Sequence, residues 1–267
     1  NRSIESTENN IKIITANVNG IRAAAKKGFF DWLQKEDADL VCLQEVRAQV
    51  QDIESQKFWP EPYFCFYFPA KKKGYSGVAI FSKFKPKQVI EGLNSKEFDC
   101  EGRYLELVFN NFSIASVYFP SGSSGEVRQD AKYRFLAEFE IKLRTMQKFQ
   151  KPFIFCGDVN IVHKEIDIRN WRANQKNSGC LPKERAWLDK IFNRLGYVDG
   201  FRVTNQNPYE YTWWSNRGKA WENNVGWRID YQITTPDFKD SIVQSSIYKD
   251  ERFSDHAPLL IDYEYSL

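Results

Sequence analysis

A series of apolar runs of strand length, each ending in polar or charged residues, constrains this chain most. The run over 11–14 leads to Asn17 and Asn19, and that over 40–43 leads to Gln44 and Glu45. The run over 114–117 leads to Tyr118, Pro120, Ser121 and Gly122, and that over 153–156 leads to Gly157, Asp158 and Asn160. Asp230 interrupts an otherwise apolar run over 227–233, and Asp255 and His256 stand just before the last run. A single such residue is ordinarily a turn residue. A carboxylate within an apolar strand, by contrast, needs a partner or a cleft to face. In α/β sheets the strand ends form the crevice where ligands bind. The set as a whole therefore predicts a polar site where the strands end.

Strands are expected over 11–16, 38–43, 63–68, 77–81, 104–109, 112–118, 153–156, 226–234 and 258–265. Helical spacing marks 21–36, around Phe29, Phe30 and Leu33, and 125–149, with Phe135, Leu136, Phe139 and Leu143 on one stripe. A third helix is expected over 182–195, with Pro182 at its start and Gly196 beyond its end. Several strand pairs lie too close together for crossover helices, which predicts a mixed α/β fold with two packed sheets and outer helices. The Asn-rich loop over 161–181 has the length of a functional loop. No linker or repeat divides the chain, so one domain is expected over 11–267, preceded by a flexible tail over 1–10.

Of the 267 residues, 42% are hydrophobic and 16% aromatic, enough for a large core. The net charge of +3 does not by itself decide for or against nucleic acid. Clusters such as Lys26-Lys27 and Lys71 to Lys73 read singly as solvated surface. Five cysteines without a CxxC spacing point to reduced thiols, not a disulfide framework or a zinc site. No run is long enough to span a membrane, and residues 1–10 lack the apolar core of a signal peptide, so a cytoplasmic protein without membrane association is expected.

The polar set is coherent as chemistry. It holds four acids (Glu45, Asp158, Asp230, Asp255), three amides (Asn17, Asn19, Asn160) and one histidine, His256, beside an acid. Hard oxygen donors suit Mg²⁺, which keeps waters and binds through a few carboxylates and substrate phosphate. The lack of clustered Cys and His disfavours zinc. The other histidine, His163, has no acid beside it and reads as a loop residue. No GxSxG, P-loop or GxGxxG occurs, which leaves serine hydrolases, nucleotide kinases and Rossmann dehydrogenases unsupported.

Eight segments in order, 17–22 (NVNGIR), 42–45 (CLQE), 74–77 (GYSG), 118–122 (YFPSG), 157–160 (GDVN), 181–187 (LPKERAW), 224–231 (NVGWRIDY) and 254–256 (SDH), resemble the exonuclease III family of AP endonucleases. That family belongs to the endonuclease/exonuclease/phosphatase superfamily. The resemblance implies a four-layer α/β sandwich, DNase I-like, with two packed mixed sheets flanked by helices. It also implies a repair endonuclease that hydrolyses the phosphodiester 5′ to an abasic site in duplex DNA, with one or two Mg²⁺ ions for which Mn²⁺ could substitute. Activities at 3′ ends (exonuclease, phosphatase, phosphodiesterase) would accompany it.

By the same resemblance Glu45 is the principal metal ligand, and Asn17, Asn19, Asp158, Asn160 and Asp255 complete the metal positions. Asp158 orients or deprotonates the attacking water. Asn160, Tyr118 and His256 contact the phosphate, with Asp230 orienting His256. Trp213, Trp227 and Ile229 form an apolar slot for a sugar without a base, and Trp214 is core. Arg22, Lys26, Tyr75, Ser121, Asn174, Asn177 and Arg217 hold the DNA. Lys183 stands where the family usually carries an acid. The partner is duplex DNA with abasic sites or blocked 3′ ends, bound by a monomer. Three other readings compete: a 3′-end-processing nuclease with weak abasic activity, a phosphatase of lipid or inositol substrates, and a DNA-binding module without catalysis.

Overall fold

The computed structural model describes residues 10–265. In chain order its strands are β1 (Asn10–Asn17), β2 (Leu40–Gln44), β3 (Phe64–Phe68), β4 (Val78–Ser82), β5 (Gln88–Glu91), β6 (Tyr104–Val108) and β7 (Ser113–Tyr118). They continue with β8 (Phe153–Asp158), β9 (Val198–Asp199), β10 (Trp213–Trp214), β11 (Gly226–Trp227), β12 (Asp230–Thr234), β13 (Ile242–Ile247) and β14 (Leu259–Glu264). One six-stranded sheet runs β13-β14-β1-β2-β4-β3, the other β5-β6-β7-β8-β12-β9, and β10 and β11 form a small ribbon.

The period-two alternation of the central strands decides what each face covers. Ile13, Cys42, Ile80, Leu107, Ile114 and Cys156 turn inward and make the core between the sheets. Their neighbours Ile14, Val41, Leu43 and Phe81 turn outward, under helices α1 (Ile21–Lys26) and α2 (Phe29–Glu36). On the other sheet Ala115, Val117, Phe153 and Phe155 pack under α3 (Glu126–Lys148) and α4 (Pro182–Asp189). Three cores separate four layers, α/β/β/α, as the resemblance implies. Phe139 of α3 shows the packing: its ring lies 5.2 Å from Phe119 and 4.9 Å from Phe155, edge on. Truncating a ring buried in this way costs about 3–5 kcal/mol.

Two parallel pairs position the site. Strands β1 and β2 run parallel, joined through α1 and α2, and Asn17 ends level with Gln44. Strands β7 and β8 run parallel, joined through α3, and Tyr118 ends level with Asp158. Both pairs point their C-terminal ends at the same crevice, where Asn17 reaches across the two sheets to Asp158. Close approach at this end requires Gly157, because a Cβ there would lie 1.8 Å from the Val117 carbonyl oxygen.

Several expectations change in detail. The helix expected over 21–36 breaks at Gly28, which adopts a left-handed φ of 92° between α1 and α2. The helix expected over 182–195 passes at Lys190 into a π-helical turn. The strand expected over 226–234 divides into β11 and β12. Arg228 and Ile229 leave the ladder because the Arg228 guanidinium is buried against Asp167 and Asp199, while Thr212 Oγ1 accepts the N–H groups of Ile229 and Asp230. Asp230 therefore begins a strand instead of interrupting one. The tail expected over 1–10 lies outside the described residues except for Asn10, which belongs to β1. Among the described residues, no helix is long and apolar enough to cross a membrane.

Candidate active site

Asp230 and Asp158 are opposite partners in the antiparallel β8–β12 ladder. His256, brought in by the loop before β14, sits against both. Its Nδ1 lies 2.8 Å from Asp230 Oδ2 and its Nε2 lies 3.7 Å from Asp158 Oδ2. Burial alone would lower the His256 pKa, but the charges of Asp230 and Asp158 and the Asp230 hydrogen bond outweigh it and hold the ring protonated, up to about 10. The Asp230 contact then leaves Nε2–H facing Asp158. Burial, with the charges of Asp230 and Glu45, pushes the Asp158 carboxyl up to about 7 against the opposing pull of His256 and the Asn17 hydrogen bond.

A second group meets Asp158 from the other sheet. Asn17 Nδ2 donates to Asp158 Oδ2 at 2.9 Å and to Glu45 Oε1 at 3.2 Å. Tyr118 donates its hydroxyl to the same Glu45 oxygen at 3.1 Å. Burial, with Glu45 and Asp158 nearby, holds the Tyr118 phenol well above its ordinary pKa, so it stays a donor. Asp158 Oδ1 accepts the Asn160 backbone N–H at 3.0 Å, while Asn160 Nδ2 donates to the Phe119 carbonyl at 2.8 Å. Glu45 and Asn160 both have left-handed φ, 54° and 56°, a strained backbone that functional sites tend to store.

A cleft of about 760 Å³ opens over this set. Glu45, Tyr118, Asp158, Asn160, Asp255 and His256 form its polar wall. Trp213, Trp227 and Ile229 form an apolar wall, the two indoles edge to face at 5.8 Å. Trp213 joins the two walls, its Nε1–H donating to Asp255 Oδ2 at 3.2 Å. Trp214, as expected of a core residue, is fully buried and meets Trp221 edge on.

The predicted residues fall into three places. Ser121, Asn177 and Arg217 line the cleft, and the loop over 161–181 contributes Lys176 to Gly179 to it. Asn17 and Asp230 lie behind the lining, buried, and orient what stands in front of them. Asn17 turns its amide nitrogen, not its oxygen, to both acids. Arg22, Lys26 and Asn19 instead line a second depression beside Arg47, and the Asn19 side-chain oxygen accepts from Arg47 at 3.0 Å. Tyr75 accepts from Arg103 at 2.8 Å, and Asn174 accepts from Asn177 at 2.8 Å. His163 is a loop residue outside the cleft lining, as expected, and its acid partner, Asp189 at 2.6 Å, comes from the end of α4.

Two structural partners of the site escaped the sequence reading. Arg103 lies over the Tyr118 ring at 5.1 Å and donates to the Tyr118 carbonyl at 3.1 Å. Lys132 donates from α3 to the Asn160 carbonyl at 2.7 Å. A lysine within the apolar stripe of a helix was the available signal.

Whether a divalent cation suits this site follows from its donors. The acids crowd negative charge that one imidazolium and Arg47, 4.0 Å from Glu45, balance only in part. The wall offers carboxylate and amide oxygens and no thiol, the donor class of Mg²⁺ rather than of zinc. Asp158, Asp230 and His256 are close enough to share a cation by distance. Asp230 lies behind the lining with its Oδ2 paired to His256 Nδ1, which leaves Glu45, Asp158 and Asp255 as the carboxylates that face the cleft.

Comparison with known proteins agrees with this geometry. Residues 14–256 match the model of the Endonuclease/Exonuclease/phosphatase family. The chain is 42% identical to the exodeoxyribonuclease of Bacillus subtilis, over 93% of this chain and 98% of that protein. It is 36% identical to the DNA repair nuclease APEX1 of Danio rerio, over 94% of this chain and 82% of that protein. Its fold superposes on an AP endonuclease from Archaeoglobus fulgidus with a TM-score of 0.84 and 28% identity, over 95% and 99% of the two chains. The chain belongs to the endonuclease/exonuclease/phosphatase family, within its exonuclease III group of AP endonucleases.

Proposed function

We propose that this chain is a DNA-repair hydrolase that cuts the backbone of duplex DNA 5′ to an abasic site. One observation carries the reading: the acid–histidine set and the Trp213, Trp227 and Ile229 wall line the same cleft. The wall suits the apolar face of a sugar that has lost its base. A full base would collide with the indoles, while an abasic nucleotide leaves the stack at low cost.

Glu45, Asp158 and Asp255, with Asn160, would hold Mg²⁺, and Mn²⁺ is the expected substitute. When bound, the cation supplies positive charge beside the phosphate in the transition state. The chain's own residues do the rest. Asp158, fixed by the Asn17 amide and the Asn160 backbone N–H, is placed to orient the attacking water or take its proton. The new P–O bond forms as the bond to the 3′ oxygen breaks, and the departing 3′ oxygen takes a proton from solvent, leaving a 3′-hydroxyl and a 5′-phosphate on the abasic sugar. His256 Nε2–H, oriented by Asp230, donates to a phosphate oxygen. The second N–H of the Asn160 amide adds a fixed donor where charge accumulates, and the Tyr118 hydroxyl adds another by turning from Glu45, which accepts it at 3.1 Å in this structure. Ser121, Asn177, Arg217, Arg22 and Lys26 bear on sugar and phosphate and position the duplex without reading sequence. The five free cysteines support work in the reducing cytoplasm, and one chain holds the whole set, which supports a monomer.

The test sets two duplexes against each other, one carrying a tetrahydrofuran abasic analogue and one with an ordinary base and a recessed 3′ end. Incision 5′ to the analogue, faster than trimming of the recessed end, is expected. Trimming or 3′ clean-up without incision would replace this reading with a 3′-end-processing nuclease.

A further inference from the structure

Lys132 and Glu184 form an ion pair from which water is excluded, and the chemistry above does not use it. Burying a charged pair is costly, and it persists where each charge is also hydrogen-bonded. Both are. Lys132 Nζ donates to the Asn160 carbonyl at 2.7 Å. Glu184 Oε1 accepts the backbone N–H groups of Gly179 at 2.7 Å and Leu181 at 3.1 Å. Gln129 donates to Glu184 Oε2 at 3.2 Å and accepts from Ser178 at 2.5 Å. Val162 donates in turn to the Gly179 carbonyl at 2.8 Å, which closes the loop back onto the segment after Asn160.

We infer that Lys132 and Glu184 are positioning residues: the pair holds the strained backbone of Asn160 and ties it to the adjacent 178–181 segment of the cleft lining. Resting on the proposed nuclease reading, the inference deepens it by naming what aims the phosphate donor. Asn160 keeps its left-handed φ because three fixed groups surround it: the Asp158 carboxylate on its N–H, the Phe119 carbonyl on its amide, and Lys132 on its carbonyl. Removing the last leaves the peptide free to relax, which moves its side chain relative to the scissile phosphate.

The test is a kinetic cycle on the abasic duplex. Lys132→Met alone strands a buried Glu184 charge and can unfold the protein, so the variant of record is Lys132→Met with Glu184→Gln, its thermal melt checked first. We expect kcat to fall about 10- to 100-fold with KM within about threefold, the signature of lost orientation. In an Asn160→Ala background the same pair of changes should cost only about twofold, because the group it aims is gone. Loss of the full factor in that background, an effect in KM alone, or no effect would each overturn the inference. If the wild type trims recessed 3′ ends but leaves the abasic duplex whole, the cycle runs on that substrate with the same expectation. A wild type inactive on both duplexes overturns the functional reading, and this inference with it.

Discussion

His256 stands between two acids that a sheet would ordinarily keep apart: its ring bridges Asp230 at 2.8 Å and Asp158 at 3.7 Å, and those two are direct ladder partners. Like charges facing each other across an antiparallel pair destabilise it. Here the imidazolium offsets them and is fixed by them. Asp230→Asn removes one of the charges that keep the ring protonated, so it should leave the fold intact but let the ring lose a proton and adopt the wrong tautomer. We expect kcat to drop by about 10²–10⁴ with little change in KM. Steady-state kinetics on the abasic duplex checks this, and a loss confined to KM would contradict it.

Asp167 makes a prediction about stability. Burial would raise its pKa, but Arg228 at 2.8 Å and Arg202 at 2.7 Å outweigh burial and hold it down to about 2. Because its folded pKa lies below the unfolded value, the stabilisation is present above about pH 4 and is lost as the pH falls through about 2. Asp167→Asn leaves two guanidinium groups without this carboxylate and should cost about 3–5 kcal/mol at neutral pH. Urea denaturation at pH 7 and pH 3 measures both effects. The gap between wild type and variant should narrow at the lower pH.

The apolar wall should govern discrimination, not chemistry. Trp227→Ala opens the slot beside Ile229 and Trp213. The preference for an abasic analogue over an intact nucleotide should fall on the order of tenfold. Trimming of a recessed 3′ end, measured on the same preparation, is expected to change less.

Much of the site is legible in the sequence. Asn17, Glu45, Asp158 and His256 could be placed at strand ends because short apolar runs of strand length end or begin beside them. Less legible were β5 and β13, edge strands whose exposed Val89 and Val243 blur the alternation. The break at Arg228 and Ile229 depends on Asp167 and Asp199, 61 and 29 residues distant in sequence, so no local pattern announces it. The same holds for Lys132 and Asn160, and for His163 and its partner Asp189. Ladder register and side-chain reach decide such pairings, and neither follows from spacing along the chain.

A cation at the acid cluster should stabilise the folded protein. At a Mg²⁺ concentration about 100 times its Kd the gain is about 2.7 kcal/mol. Differential scanning with and without EDTA reads this as a rise in Tm, and Glu45→Ala should remove most of it. An equal rise in the variant would move the ion elsewhere.

The most direct measurement is the Mg²⁺-dependent incision of a labelled duplex bearing one tetrahydrofuran site, by wild type and by Glu45→Ala. The account predicts rapid cleavage 5′ to the analogue that EDTA abolishes and the variant lacks. An uncut duplex with wild type, or cleavage that survives in the variant, would contradict it.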